Sequence, residues 1–194
     1  MIESSLSSHD QFVQEFTSRF TKQAGVIYPA KSPEVAASIV NGLIKSRGKG
    51  ESCCSNDLEI SYNGIQTNIS DAIKATVSYD ALQKNPRQVY PPLDVGITKA
   101  DYGIAETGTI VDVSYSDEHR LLSSLTRVHI AVLEKERILE KLSMLTPVMM
   151  ELLGSSGDRK PSITFIGGPS RTSDIELKSV LGVHGPHEVH VVLI

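Results

Sequence analysis

Short β-prone runs alternate with helical patterns along most of this chain, and this alternation restricts the fold more than any other feature. The run GVIY at 25–28 precedes a helical pattern that opens at Ser32-Pro33-Glu34 and continues to about Ser46. Later β-prone runs lie at 109–114, 128–133, 162–166 and 188–194. Strands that alternate with helices form a mainly parallel sheet covered on both faces, so we predict a three-layer α/β/α domain.

The segments between these runs complete the predicted secondary structure. Helices are expected near 98–106 and 118–126, over about 135–153, and from about 172. Earlier in the chain we expect a strand at ESCCS (51–55), helical turns near 56–64 and 70–74, and a strand at 75–79.

An amphipathic helix is predicted at about 9–24, ahead of the alternation. Its apolar stripe repeats about every four residues and comprises Phe12, Val13, Phe16 and Phe20. Ser7, Ser8 and Asp10 are the candidate N-caps. The stripe either packs on the same chain or reaches a neighbouring subunit, and packing on the same chain is the preferred interpretation. We therefore expect an N-terminal helix or arm over 1–24 and a single α/β domain over 25–194.

Charge and cysteine usage exclude several classes of protein. The formal net charge is −4 and the basic residues are scattered, which argues against a nucleic-acid surface. No run of about 18 apolar residues exists and the first residues do not resemble a secretory signal, so we expect no membrane span and a cytoplasmic location. The sequence contains two cysteines, the adjacent Cys53 and Cys54. Two thiolates are too few for an iron–sulfur cluster, since a cluster takes about four.

The segment that follows the 162–166 run predicts an anion site. Paired glycines let a backbone approach a ligand closely, and the N-terminus of a helix starting near 172 would supply unpaired N–H groups and partial positive charge. Arg171 adds a planar fork for a carboxylate or phosphate, which Asp174 or Glu176 would orient. The predicted binding residues are Gly167, Gly168, Ser170, Arg171, Thr172 and Asp174. The alternative is a capped helix start with a surface salt bridge.

Two polar residues lie just before the 109–114 run, and a third lies inside it. Glu106 and Thr107 lie at a predicted helix-to-strand junction that suits either a polar ligand or a turn with Gly108 as its left-handed residue. Asp112 shares one face of the strand with Ile110 and Ser114. That face is wet, at an interface or paired to a cation, and a solvated face is the preferred interpretation.

The C-terminal segment contains three of the six histidines, at His184, His187 and His190. A Gly-Pro turn separates the first two and no third ligand has a recognisable spacing, so no metal site is predicted. We interpret His184, next to Gly185, as a loop histidine that hydrogen-bonds a ligand or the backbone. His129 lies in a strand and is interpreted as a satisfied core histidine.

Four of these segments together resemble the LUD-domain family, specifically its lactate-utilisation protein C branch. In order, they cover residues 96–114, 120–133, 163–177 and 180–194. The most specific strings are Gly-Pro-Ser-Arg-Thr-Ser-Asp-Ile-Glu at 168–176 and Gly-Val-His-Gly-Pro at 182–186. The resemblance implies the fold shared by glucosamine-phosphate deaminase, ribose-phosphate isomerase and CoA transferases. Asp112 lies where similar sequences are expected to carry an apolar residue.

The resemblance also implies a function: a subunit without a cluster in a cytoplasmic system that oxidises L-lactate to pyruvate. The expected partners are two iron–sulfur subunits, the expected ligand is a small carboxylate, and a homo-oligomer is compatible with the fold. No cofactor is expected on this chain. His184 and Glu106 are the candidates for proton transfer, while Thr107 and Gly185 join the binding residues.

Two other hypotheses compete with this one. In the first, the chain is a free-standing enzyme of the same fold that acts on a phosphorylated or CoA-linked small molecule, and Glu106 is its carboxylate nucleophile. Alternatively it is a scaffold that docks a partner through its N-terminal helix.

Overall fold

Two sheets organise the part of the chain that the computed structural model describes, which comprises residues 7–47, 52–54, 94–115, 117–155, 161–173, 179–181 and 185–194. The helices are α1 (Ser8–Lys22), α2 (Pro33–Ser46), α3 (Asp117–Ser124) and α4 (Thr146–Ser155). The strands are β1 (Val26–Pro29), β2 (Ser52–Cys54), β3 (Val95–Lys99), β4 (Tyr102–Ile104), β5 (Thr109–Ser114), β6 (Val128–Leu133), β7 (Ile138–Leu139), β8 (Ser162–Ile166), β9 (Arg171–Ser173), β10 (Ser179–Leu181) and β11 (Glu188–Leu193). Lys135–Arg137 and Leu142–Leu145 form 3₁₀ turns.

The larger sheet, sheet A, has five strands in the order β1-β11-β6-β3-β2, and every neighbouring pair is parallel. All six residues of the central strand β6 are buried. A parallel strand with both faces covered is expected to be continuously apolar, as VHIAVL nearly is. The predicted α/β class is confirmed, together with the strands at 26–29, 109–114, 128–133, 162–166 and 188–193.

Local signals fix the starts of the first two helices. Ser7 caps α1 in a capping box, in which its Oγ accepts from Asp10 N at 3.2 Å while the Asp10 carboxylate accepts from Ser7 N at 3.1 Å. Ser32 caps α2 and Pro33 occupies the first turn, where a missing N–H costs nothing. Both helices therefore begin close to where the sequence predicts.

Helices cover sheet A on both faces. On one face, Val40 and Ile44 of α2 pack in a cluster that includes Ile130 of β6. On the other face, Phe16 and Phe20 of α1 are fully buried and stack at 5.7 Å between ring centroids. The interpretation that the α1 stripe packs on the same chain is confirmed.

The smaller sheet, sheet B, lies on the α1 side of sheet A. Its order is β7-β4-β5-β8, with β5 antiparallel to both β4 and β8. Ile110 of β5 clusters with Val191 of β11, whereas Asp112 bonds Thr98 of β3. Strand β5 therefore crosses sheet A from β11 towards β3. The outer face of sheet B packs against Leu145 and α4.

The helix predicted near 98–106 is wrong, because this segment supplies the end of β3 and all of β4. Asp101 stands between the two strands, where its carboxylate accepts from Val113 N at 2.7 Å and its own N–H donates to the Val111 carbonyl. Pairing with β5 and β6 overrides the weak local preference of a polar, glycine-rich segment.

The helix predicted over 135–153 is wrong in its first half. Residues 135–145 form two 3₁₀ turns and strand β7, and only α4 is an α-helix. Pro147 explains the late start, since proline is tolerated in the first turn of a helix and disrupts a helix interior. The turns predicted near 56–64 and 70–74 and the strand at 75–79 lie outside the described residues. None of the described helices has the length and apolar character needed to cross a membrane.

Candidate functional site

Two of the predicted polar segments meet at Gln23, which caps the C-terminus of α1. Its Nε2 donates to the carbonyl of Thr107 at 2.9 Å and to that of Gly108 at 3.0 Å. A Cβ on Gly167 would lie 2.7 Å from Gln23 Oε1, and a Cβ on Gly168 would lie 2.7 Å from the Gln23 carbonyl oxygen. The paired glycines thus admit the end of α1, and Gly168 in addition has a φ of 137°.

Gly108 forms the turn between β4 and β5. Its φ is 62°, its N–H donates to the Ile104 carbonyl at 2.8 Å, and a Cβ there would meet Phe20 N at 2.6 Å. The left-handed Gly108 is confirmed, although the turn joins two strands instead of a helix and a strand. Thr107 contributes to this contact through its backbone carbonyl, which accepts from Gln23 Nε2.

The loop after β8 next contacts the segment before β11. Ser170 N donates to the Pro186 carbonyl at 2.9 Å, and a Cβ on Gly185 would lie 3.1 Å from Ser170 Cβ. His187 N donates to the Arg127 carbonyl, which immediately precedes β6. The loop therefore lies at the amino ends of β11 and β6. The loop also follows the carboxyl end of β8, as the sequence predicts, but β8 belongs to sheet B and not to the parallel sheet.

The helix predicted from about 172 is also wrong at its start. Arg171–Ser173 form β9, which pairs antiparallel with β10 so that Arg171 faces Leu181 and Thr172 faces Val180. A helix N-terminus therefore does not contribute to an anion site at this point. Arg171 itself is exposed and has no ion pair with any other residue that the structure describes.

Of the two candidates for proton transfer, the structure describes Glu106 only, and it bonds elsewhere. The Glu106 carboxylate accepts from Leu142 N at 3.0 Å, so it binds the 3₁₀ turn that follows β7. His184 and Asp174 lie outside the described residues.

Sequence reasoning missed a buried polar cluster between the two sheets, formed by Thr98, Asp112 and His129. Their exposed fractions are 0%, 1% and 0%. Thr98 Oγ1 donates to Asp112 Oδ2 at 3.1 Å and lies 2.8 Å from His129 Nε2. Because the threonine hydroxyl has one proton, His129 Nε2 must donate to it. His129 Nδ1 is then an acceptor, and it has no hydrogen-bond partner among the described residues.

The electrostatics of the cluster follow from its burial. Burial, and then the nearby His119 and His190, lower the pKa of His129 to about 3, so its ring is neutral at physiological pH. The solvated-face interpretation of Asp112 is wrong, because Ile110, Asp112 and Ser114 are all buried and Asp112 bonds Thr98 of sheet A. The interpretation of His129 as a satisfied core residue is correct for its burial and for Nε2 only.

A second polar group lies on the α2 face. Both terminal nitrogens of Arg47 bind the Glu188 carboxylate, and His190 Nε2 lies 3.0 Å from Glu188 Oε2. The hydrogen bond from Arg47 lowers the pKa of Glu188 to about 2, and burial lowers the pKa of His190. His190 is thereby fixed within the fold. Among the described residues, no three His, Cys, Asp or Glu side chains are grouped as a metal ion would require.

The chain is an α/β protein in which a second sheet is stacked on a parallel five-stranded sheet. Its motif loops lie at the amino ends of the central strands β11 and β6. The LUD domain model matches residues 13–194, and the chain belongs to the LUD-domain family.

Similar proteins agree with this assignment. A segment of 94 residues is 45% identical to lactate utilization protein C of Halalkalibacterium halodurans, and it covers 48% of this chain and 40% of that protein. The chain is also 31% identical to the uncharacterized protein YkgG of Escherichia coli, over 91% of this chain and 75% of that protein. In fold, it is similar to the crystal structure of a DUF162 family protein from Deinococcus radiodurans, with a TM-score of 0.58, 17% identity, and coverage of 97% of this chain and 99% of that one.

Proposed function

We propose that this chain is a subunit without a cluster in a cytoplasmic L-lactate oxidation system, and that it binds a small carboxylate at the loop containing Ser170 and Arg171. The matched relatives that bear the name lactate utilization protein C support the first part. The segment aligned with the Halalkalibacterium protein spans 40% of that protein.

The observation that carries the second part is the state of Arg171. Its guanidinium is exposed beside Ser170 and is not used in an ion pair with any described residue. A guanidinium binds a carboxylate through two parallel N–H donors, and the Ser170 hydroxyl is a further donor. Close packing of Ser170 on Gly185 fixes the position of this loop next to the segment that leads into β11.

Oxidation of a 2-hydroxy acid also needs an electron acceptor, which we assign to the partner subunits. Cys53 and Cys54 do not supply the roughly four thiolates that an iron–sulfur cluster takes. The chain therefore contributes ligand binding, and the clusters belong to the partners.

The test is a tagged purification of the chain together with its partners from lactate-grown native cells, followed by assay of iron content and L-lactate-dependent dye reduction. We expect cluster-bearing partners to co-purify and Arg171→Ala to reduce dye reduction at least about tenfold, since a hydrogen bond to a charged group contributes about 1.5–3 kcal/mol. Arg137→Ala removes another exposed arginine, which pairs with Glu134 at 3.5 Å, and is the matched control.

Two results would contradict the proposal separately. Wild-type activity in Arg171→Ala would exclude the carboxylate role of this loop. An iron-free, inactive chain recovered alone while the partners are expressed would exclude the subunit role and favour a free-standing enzyme.

A further inference from the structure

Gln23 lies where helix α1 ends and contacts the first residues of the proposed carboxylate loop. Its side-chain amide lies 2.9 Å from the Thr107 carbonyl and 3.0 Å from the Gly108 carbonyl. Because two carbonyl oxygens need a donor, Nε2 faces them and Oε1 faces Gly167. The Gln23 side chain therefore fills the space between the turn that joins β4 to β5 and the start of the loop.

The C-terminus of α1 is closed tightly, and this closure fixes the position of Gln23. Gly25 N donates to the Phe20 carbonyl at 3.1 Å and Ala24 N donates to the Thr21 carbonyl at 2.9 Å, the two hydrogen bonds of a Schellman motif. Ala24 takes the left-handed position of that motif, with a φ of 66°, where glycine is usual. Since Phe20 is fully buried, Gln23 is anchored to the core of the protein and not to the loop that it contacts.

Two contacts hold the loop that carries Ser170 and Arg171. The backbone at 167–168 packs on Gln23, so closely that a Cβ at either position would lie 2.7 Å from a Gln23 oxygen. Two residues further on, Ser170 N donates to the Pro186 carbonyl at 2.9 Å. Arg171 follows directly. Loss of the first contact would leave the loop held on one side only, with more than one arrangement open to Arg171.

We propose that Gln23 is a positioning residue of the carboxylate site, which acts through the 167–168 backbone to keep Ser170 and Arg171 in their binding arrangement. This inference rests on the proposed carboxylate site. A loop that is ordered before binding loses no binding free energy to its own ordering. When the binding arrangement is populated only about one-tenth of the time, the apparent affinity falls about tenfold. Loss of the Gln23 side chain should therefore weaken binding while every group assigned to the ligand stays in the chain.

The first measurement is the dissociation constant of L-lactate for the full, folded chain by calorimetry. We expect Gln23→Ala to raise this constant about tenfold. Gln14→Ala is the matched control, because Gln14 is an exposed glutamine on the same helix, and it should leave the constant unchanged.

The two loop glycines separate positioning from general damage to the fold. Gly167→Ala should weaken binding in the wild-type background, because its Cβ would meet Gln23 Oε1. Outside the Gln23 side chain, the nearest atom to that Cβ is Thr109 Oγ1 at 3.9 Å, so Gly167→Ala should cause no further loss in Gln23→Ala. Gly168→Ala meets the Gln23 backbone oxygen and has a φ of 137°, so it should weaken binding in both backgrounds.

Hydrogen exchange at the Ser170 amide tests the positioning without a ligand. That amide is bonded to the Pro186 carbonyl, and its exchange should speed up in Gln23→Ala as the loop loosens. The amide of Val191, a fully buried residue of β11, reports opening of the central sheet. We expect the exchange rate at Ser170 to rise by a larger factor than the rate at Val191.

The outcomes distinguish failure of this inference from failure of the carboxylate site. Unchanged L-lactate affinity in Gln23→Ala, equal losses from Gly167→Ala in both backgrounds, or exchange at Ser170 that only follows Val191 would each overturn the role of Gln23 and leave the carboxylate site intact. L-lactate binding that survives Arg171→Ala unchanged, or a wild-type chain that binds no L-lactate, would overturn the carboxylate site and the role of Gln23 with it.

Discussion

The two faces of sheet A are formed by the same strands and differ in chemistry. Towards α2, strand β6 presents Val128, Ile130 and Val132, which belong to an entirely apolar cluster. Towards α1 and sheet B, the same strand presents Ala131 and Leu133 but also His129. On β3, Ile97 faces α2 and Thr98 faces Asp112 of sheet B.

On the α2 face, β6 presents only apolar side chains, and the polar group of that face lies where Arg47 binds Glu188 of β11 beside His190. On the opposite face, buried polar residues lie on β3 and β6 themselves and bond the stacked sheet. Apolar burial is insensitive to pH, whereas a buried neutral histidine disfavours folding once the unfolded chain binds a proton. Buried polar networks specify one arrangement when their members are bonded. They are costly when a member is not, and His129 Nδ1 has no hydrogen-bond partner within the part of the chain that the structure describes. We therefore expect the two faces to respond differently to mutation and to pH.

The largest effect is expected on the apolar face. Ile130→Ala leaves a cavity at a fully buried position, so the free energy of unfolding should fall by about 2–5 kcal/mol. Urea denaturation at several pH values measures this loss, which should be the same at each pH. A loss that changes with pH would contradict the separation of the two faces.

A smaller effect is expected from Gly96→Ala, on the polar face. A Cβ at Gly96 would lie 2.1 Å from the Leu122 carbonyl oxygen, so α3 would have to shift away from β3. We expect destabilisation by about 1–3 kcal/mol, typical of overpacking. Gly42→Ala is the matched control, since nothing lies within 4 Å of that Cβ and the helix interior should gain about 0.5–1 kcal/mol. Thermal denaturation of both variants checks the prediction, and equal shifts in the two would refute it.

The third effect, the smallest per pH unit, is the pH dependence of stability. The pKa of His129 is about 3 in the folded chain and 6.5 as an unperturbed group, so the unfolded chain binds more protons between these values. Stability should therefore fall as the pH drops from 6.5 towards 3, with a slope of at most about 1.4 kcal/mol per pH unit from this residue. In His129→Gln the amide can still donate to Thr98, and the slope between pH 6.5 and 5 should be shallower than in wild type. Ile130→Ala, which keeps His129, should retain the wild-type slope, and identical slopes in all three chains would disprove the assignment.

Local signals in the sequence were sufficient for much of the fold. The capping residues Ser7 and Ser32 marked the starts of α1 and α2, and the apolar run VHIAVL marked the central strand. The order of strands and helices indicated a parallel sheet. The Gly-Pro-Ser-Arg string led to the loop where Ser170 meets Gly185, although the helix expected there begins as strand β9.

What only the tertiary structure decided depends on residues far apart in the chain. Sheet B forms because β4, β5, β7 and β8 find partners across loops and turns, which no local periodicity encodes. Gln23 has no sequence signature, since its two carbonyl partners follow it by 84 and 85 residues. Asp112 is visible in the sequence as a charge within an apolar strand, but its burial against Thr98 and its approach to His119 were set by the stacking of one sheet on the other. Short-range propensity fixes the elements, and the packing of apolar faces decides which polar groups are brought together between them.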